Sequence, residues 1–228
     1  MLVVANALGV RGTLQHLAGL LHLDRRVQVG GSAFGAEECA AVRGWVEGGG
    51  ALLLITDHAP TGESAAALAR EFNVEMMNGW AEEPHTHDSE SDNWGTLLFS
   101  RENGQLRDHP ITAGRDASER IGRVLTYTGG ALSVPPGATP FLSLSEEARL
   151  YPWRNSPDDL FRPAAGMAQG IALPFGRGRV VVMGEAAALS SETVHRPGIT
   201  YRFGLSRADY DNQQLALNIL HWLSGVLD

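Results

Sequence analysis

The chain has 228 residues, 43% of them hydrophobic and 19% charged, with a formal net charge of −8, the balance of an ordinary globular protein. Its 18 cationic side chains are all arginine and are scattered, so no basic groove for nucleic acid is expected. The single cysteine, Cys39, excludes an intramolecular disulfide and a four-cysteine zinc site, and no apolar run reaches the ~18 residues of a membrane span.

Leu2 to Ala5 reads as a strand from the outset, without the basic start and small-residue cleavage site of a signal peptide, so a cytoplasmic chain, or a mature or truncated form, is expected. Leu14 to Leu23 carries Leu14, Leu17, Leu20 and Leu21 at helical spacing. Gly30 and Gly31 break the chain. A helix follows through Trp45 and Val46, with Glu37 and Glu38 suiting the positive end of its dipole. Gly48, Gly49 and Gly50 release that helix into Ala51–Ile55, an uncharged run short enough for a strand buried on both faces. Asp57 and His58 arrive where this strand should end, and Pro60 and Gly62 turn the chain into a helix over 64–72.

Asn73 to Met76 reads as a short strand, and 78–95 as a long polar loop. Short strands are expected at 96–99, 123–127, 131–134 and 139–144. A second irregular segment spans 151–168 and includes Trp153, Asp158 and Asp159. Gly170–Pro174 and Arg179–Met183 read as a hairpin around Gly176-Arg177-Gly178, with Glu185 just past its second strand. A third loop is expected at 195–208. The clearest helix is 211–227, with Leu215, Ile219, Leu220, Trp222 and Leu223 on one face. The pattern predicts one α/β domain over 1–228: three layers, a mostly parallel sheet and helices on both faces.

Three groupings carry possible chemistry. In open α/β sheets ligands bind at the carboxyl ends of strands, which points to Asp57, His58 and Glu185 as catalytic candidates. The bland alternatives are an Asp capping the next helix, a His bonded within a turn, and a Glu capping helix amides or pairing with Arg. His85-Thr86-His87-Asp88, with Asp92 beyond, could present two imidazoles and carboxylates to a divalent ion, zinc in a mixed N/O shell or calcium through oxygens alone. Its spacing resembles the H-x-H-x-D-H of metallo-β-lactamases, but Asp88 comes one place early and no His follows. A solvated acidic loop is the alternative. Ser64, in Gly62-Glu63-Ser64-Ala65-Ala66, imitates a nucleophile elbow but lies too far past the strand, so a serine at a helix start fits it better. His16, His22, His109 and His221 read as structural, with His221-Trp222 at the surface of the last helix.

The segments Trp45–Leu54, Gly176–Gly184 and Asn218–Leu223 resemble an uncharacterised bacterial branch of the class I glutamine-amidotransferase-like superfamily. The resemblance implies a flavodoxin-like fold. The family's amidotransferases use a Cys on a strand-to-helix elbow with a later His and Glu. Here Cys39 falls inside a predicted helix, and neither G-x-C-x-G nor H-x-E occurs, so that activity is not expected. Asp57-His58-Ala59 falls where the elbow would be, and the Gly-Gly-Gly–strand–His order is similar to trehalose-utilisation-like members. Such folds place a strand and helix before the first strand found here. A later segment such as 171–183, or a second copy in a homodimer, is expected to cover the uncharged Leu2–Ala5 edge.

Together these readings predict a metal-assisted hydrolase of a small ester or lactone, for example of the acyl-homoserine-lactone type. The metal would activate water, with Glu185 or Asp57 as base. No nucleotide cofactor is indicated. The alternatives are a non-catalytic small-molecule or protein-binding domain and a serine hydrolase acting through Ser64.

Overall fold

A computed structural model describes residues 1–5, 31–86, 95–152, 156–157 and 160–228. The helical pattern at 14–23 and the residues Trp153, Asp158 and Asp159 lie outside the described residues.

The glycine-released apolar run forms β2 (Ala51–Ile55), which lies between β1 (Leu2–Ala5) and β12 (Gly178–Met183) and runs parallel to both. Side chains alternate across a strand, and this one is apolar at every position, so both of its faces are buried. Leu52 and Leu54, with Val180 and Val182, pack against α1 (Ala36–Glu47) and α2 (Gly62–Arg70) through Cys39, Val46, Ala65 and Leu68. Leu53 and Ile55, with Val181 and Met183, pack against α4 (Asn212–Ser224) through Leu215, Ile219 and Trp222. Trp222 is thus buried with the apolar face expected over 215–223, and not at the helix surface.

Beyond β12 the direction of the sheet changes. β11 (Ala168–Phe175) returns antiparallel to β12 through a tight turn, and it pairs antiparallel with β7 (Ala131–Leu132) and β8 (Thr139–Ser143); β7 in turn pairs antiparallel with β3 (Met76–Met77). The other described sheets are antiparallel as well: β5 (Thr96–Ser100) with β6 (Arg123–Tyr127), β9 (Arg149–Tyr151) with β4 (Trp80–Glu82) and β10 (Arg162–Pro163), and β13 (Ser191–Arg196) with β14 (Ile199–Gly204). The architecture is a curled, mixed sheet with few helices. The expected three-layer, mostly parallel, flavodoxin-like sheet is corrected on this point. Parallel neighbours need a long crossover, usually a helix, whereas β11 and β12 are joined by a turn too short for one. The segment 171–183 does not cover the outer edge of β1 either, because β12 lies on the far side of β2.

Three expected loops contain strands. Within 151–168, β10 pairs with β9. Within 78–95, Trp80–Glu82 pairs with β9. Within 195–208, Pro197 and Gly198 are the turn of the β13–β14 hairpin.

Polar side chains fasten α4 to distant parts of the chain. Asn212 Nδ2 donates to the carbonyls of Leu125 and Ala188, and its Oδ1 accepts from the Leu125 amide across 87 residues of sequence. Buried Asn218 donates to the carbonyls of Ile111 and Glu119. His109 caps the one-turn α3 (Pro110–Ala113) by accepting from the Ile111 amide at Nδ1, and burial, with Arg179 nearby, pulls its pKa down to about 4.

The start of β12 is a close crossing. A Cβ at Gly178 would run into the carbonyl oxygens of Val46 and Gly50. Gly178→Ala should therefore destabilise the chain by about 1–3 kcal/mol or more, the cost of overpacking against backbone, read as a lower denaturant midpoint. His109 has a folded pKa below its ordinary 6.5, so the stability it contributes is present above that value and is lost as pH falls towards 4. His109→Asn keeps a capping acceptor without a titrating ring and should flatten stability across that window in denaturation at stepped pH.

Candidate functional site

The register of β2 and β12 builds the site. Ile55 pairs with Met183, and the Thr56 amide donates to the Met183 carbonyl at 2.9 Å. Two residues further along these parallel neighbours stand Asp57 and Glu185, close enough that the Asp57 charge acts on Glu185. Behind them the backbone closes tightly: the Gly130 amide donates to the Gly184 carbonyl at 2.7 Å, and a Cβ on Gly129 would meet Glu185 and Gln169.

The two carboxyls have different surroundings. Glu185 is 1% exposed. Its Oε1 accepts from the Ala187 amide at 2.6 Å and its Oε2 from the Ala188 amide at 2.7 Å. It therefore caps the short 3-10 turn Ala187–Leu189. Burial raises its pKa well above the ordinary value and the Asp57 and Glu192 charges push the same way, against the two amide bonds. Asp57 is half-buried. Burial raises its pKa too, opposed by the His58 amide bonded to Oδ1 and by the His58 ring, with Glu192 adding to the rise.

His58 sits in the turn after β2. A carbonyl can only accept, so Nδ1 carries a proton and donates to Ala59 O at 2.8 Å, while Nε2 lies 3.9 Å from Asp57 Oδ1. The Thr61 hydroxyl and amide both donate to the His58 carbonyl. The ring stacks on Trp80 with centroids 3.6 Å apart and planes 16° from parallel, and 34% of the His58 side chain remains exposed. Trp80 reaches this place because Ala59 N donates to Gly79 O and β4 pairs with β9.

The structure thus brings Asp57, His58 and Glu185 together at one strand edge, and adds Trp80 and Glu192, which the sequence reading did not single out. The base role expected for Glu185 does not suit a carboxyl sealed from solvent with both oxygens taken by amides. Ser64 lies in the first turn of α2, 7% exposed, facing the packed side of the helix and not at an elbow. His85 is exposed and pairs with Glu147 at 2.6 Å, while His87, Asp88 and Asp92 lie outside the described residues. Among the described residues no three of His, Cys, Asp and Glu come together as a metal shell, so the expectation of a metal-binding site is corrected to that extent. Nor, among the described residues, is any helix long and apolar enough to cross a membrane.

No protein-family model and no curated protein sequence matches the chain. A solved structure described as "mmIFT52 N-terminal domain" superimposes with a TM-score of 0.52 over 84% of this chain and 72% of that one, at 16% identity. At that identity the likeness is one of fold alone. It is a likeness to a β-rich, mixed and curled sheet, and it overturns the resemblance to the class I glutamine-amidotransferase-like superfamily and its flavodoxin-like fold.

Asp57 and Glu185 both hold raised folded pKa values, so the stability they contribute is fully present below their unfolded values near 4 and is lost as pH rises through the folded ones. Denaturant unfolding should therefore show wild-type stability falling as pH climbs above about 4 relative to Asp57→Asn, which removes one charge of the pair. A wild-type profile parallel to that of the variant would contradict the raised values.

Proposed function

We propose that the chain is a non-catalytic binding domain whose ligand sits on the ledge formed by Asp57, His58 and Trp80 at the carboxyl ends of β2 and β12. The observation that carries this reading is the sealing of Glu185. With both of its oxygens held by the Ala187 and Ala188 amides and no solvent access, Glu185 is not placed to pass a proton to a ligand, and Ser64 is packed away in α2. The partly exposed groups at this edge are suited to recognition. The stacked His58–Trp80 pair offers an aromatic surface, and Asp57 Oδ2 makes no hydrogen bond among the described residues, so it is open to an N–H or O–H donor. A flat ring bearing a donor, or a protein segment presenting one, matches that chemistry; Asp57 and Glu192 favour a ligand without negative charge.

The test is an amide-resolved NMR titration with a library of heteroaromatic amines and amides. Binders should shift Asp57, His58 and the Trp80 indole, and Trp80→Ala should weaken them about tenfold, roughly the 1.4 kcal/mol of a good aromatic contact. Turnover of an ester, lactone or amide panel that disappears in both Asp57→Asn and His58→Ala would instead establish a hydrolase. Binders that shift only residues elsewhere would remove the ledge from the account.

A further inference from the structure

The β13–β14 hairpin pairs with no other strand among the described residues. It is attached at its root. The 3-10 turn Ala187–Leu189 leads directly into it, the Leu205 amide closes its base by donating to the Ser190 carbonyl at 2.7 Å, and Ser206 Oγ donates to the Glu192 carbonyl. One side of it, Tyr201 and Phe203, packs on Leu125 and Tyr127 of β6. The turn at the root is held from below by the Glu185 carboxyl on two amides and by Asn212 on the Ala188 carbonyl.

We infer that Glu185 is a proton-operated latch: neutral, it holds the 3-10 turn and the hairpin closed on the sheet, and charged, it favours release of the turn so that its carboxylate can be hydrated. The groups that face it explain the direction. Asp57 comes from the end of β2, Glu192 from the start of β13, and Tyr127 from β6, and none of these is cationic. Among the described residues neither Arg nor His forms a hydrogen bond or an ion pair with Glu185. His58 stands beside Asp57, and Arg207, near Tyr127, pairs with Asp209. A buried carboxylate with no counter-cation and two like charges beside it is costly, and two amide bonds offset only part of that cost. Opening the turn exposes the carboxylate to water and lets Glu192 move away with the hairpin. The pull towards the protonated form at this position agrees with that geometry.

The latch belongs to the chain alone, so its test needs no ligand and stands apart from the ledge reading. Hydrogen exchange of the whole chain, corrected for the intrinsic pH dependence, would compare amides of residues 191–204 with those of α4 from pH 5 to 8. In the wild type, protection of the hairpin should fall relative to α4 as pH rises, by up to about tenfold per unit, the limit for one coupled proton. Glu185→Gln, which cannot titrate and keeps one oxygen to accept from the turn, should show a hairpin-to-helix ratio that does not change across the range. Glu192→Gln, exposed and still able to accept from the Ser190 hydroxyl, should raise hairpin protection at pH 8 and reduce the slope, and it keeps the test decisive if Glu185→Gln does not fold. A hairpin-to-helix protection ratio that is constant from pH 5 to 8 in the wild type, or equal slopes in the wild type and Glu192→Gln, would overturn the latch.

Discussion

The parallel pairing of β2 with β12 is the constraint from which the remainder follows. It joins two segments far apart in sequence at the centre of the sheet, and both strands are apolar on both faces, so α1 and α2 must cover one side and α4 the other. The pairing can form only because the chain beside it is stripped of side chains at the crossing of Gly178 with Val46 and Gly50. The same register sets two acidic residues, Asp57 and Glu185, at neighbouring strand ends. An electrostatically unfavourable neighbour pair is thus a consequence of backbone pairing, and the protein meets it by giving one member two amide donors and leaving the other at the surface beside an imidazole.

Some of this could be read from residues alone. β2 announces itself through three glycines and an uncharged run, α4 through its apolar face, and β11 with β12 through a Gly-Arg-Gly turn between two apolar stretches. Strand direction could not be read in the same way, because an apolar run buried on both faces looks identical in a parallel and an antiparallel neighbour. Direction depends on whether the connection is long enough to cross over. The β13–β14 hairpin escaped because its outward side is polar and Pro197-Gly198 reads as loop. The signal present was period-two placement of Val194, Tyr201 and Phe203 around that turn.

The site divides similarly. Asp57, His58 and Glu185 were found by their position past strand ends, which is a matter of chain order. Which way Glu185 faces was not, since that depends on the 3-10 turn folding back over it. Trp80 meets His58 only through the pairing of β4 with β9, a contact between segments whose association leaves no local mark in either. The fold likeness to a solved domain at 16% identity supports the curled sheet and says nothing about these side chains.

The fastening of α4 to β6 through Asn212 bears on how the chain is made. A ribosome delivers residues in order, and domains settle as their contacts become available. The Leu125 backbone waits 87 residues for the side chain that satisfies it, and the apolar underside of β2 waits for both β12 and α4. Until then, Leu53 and Ile55 belong to a half-covered sheet with open edges, a species that invites chaperone capture or association with its own kind. Folding of this protein is consequently weighted towards its last segments, and a pause in synthesis before α4 emerges would leave the nascent chain in its stickiest form.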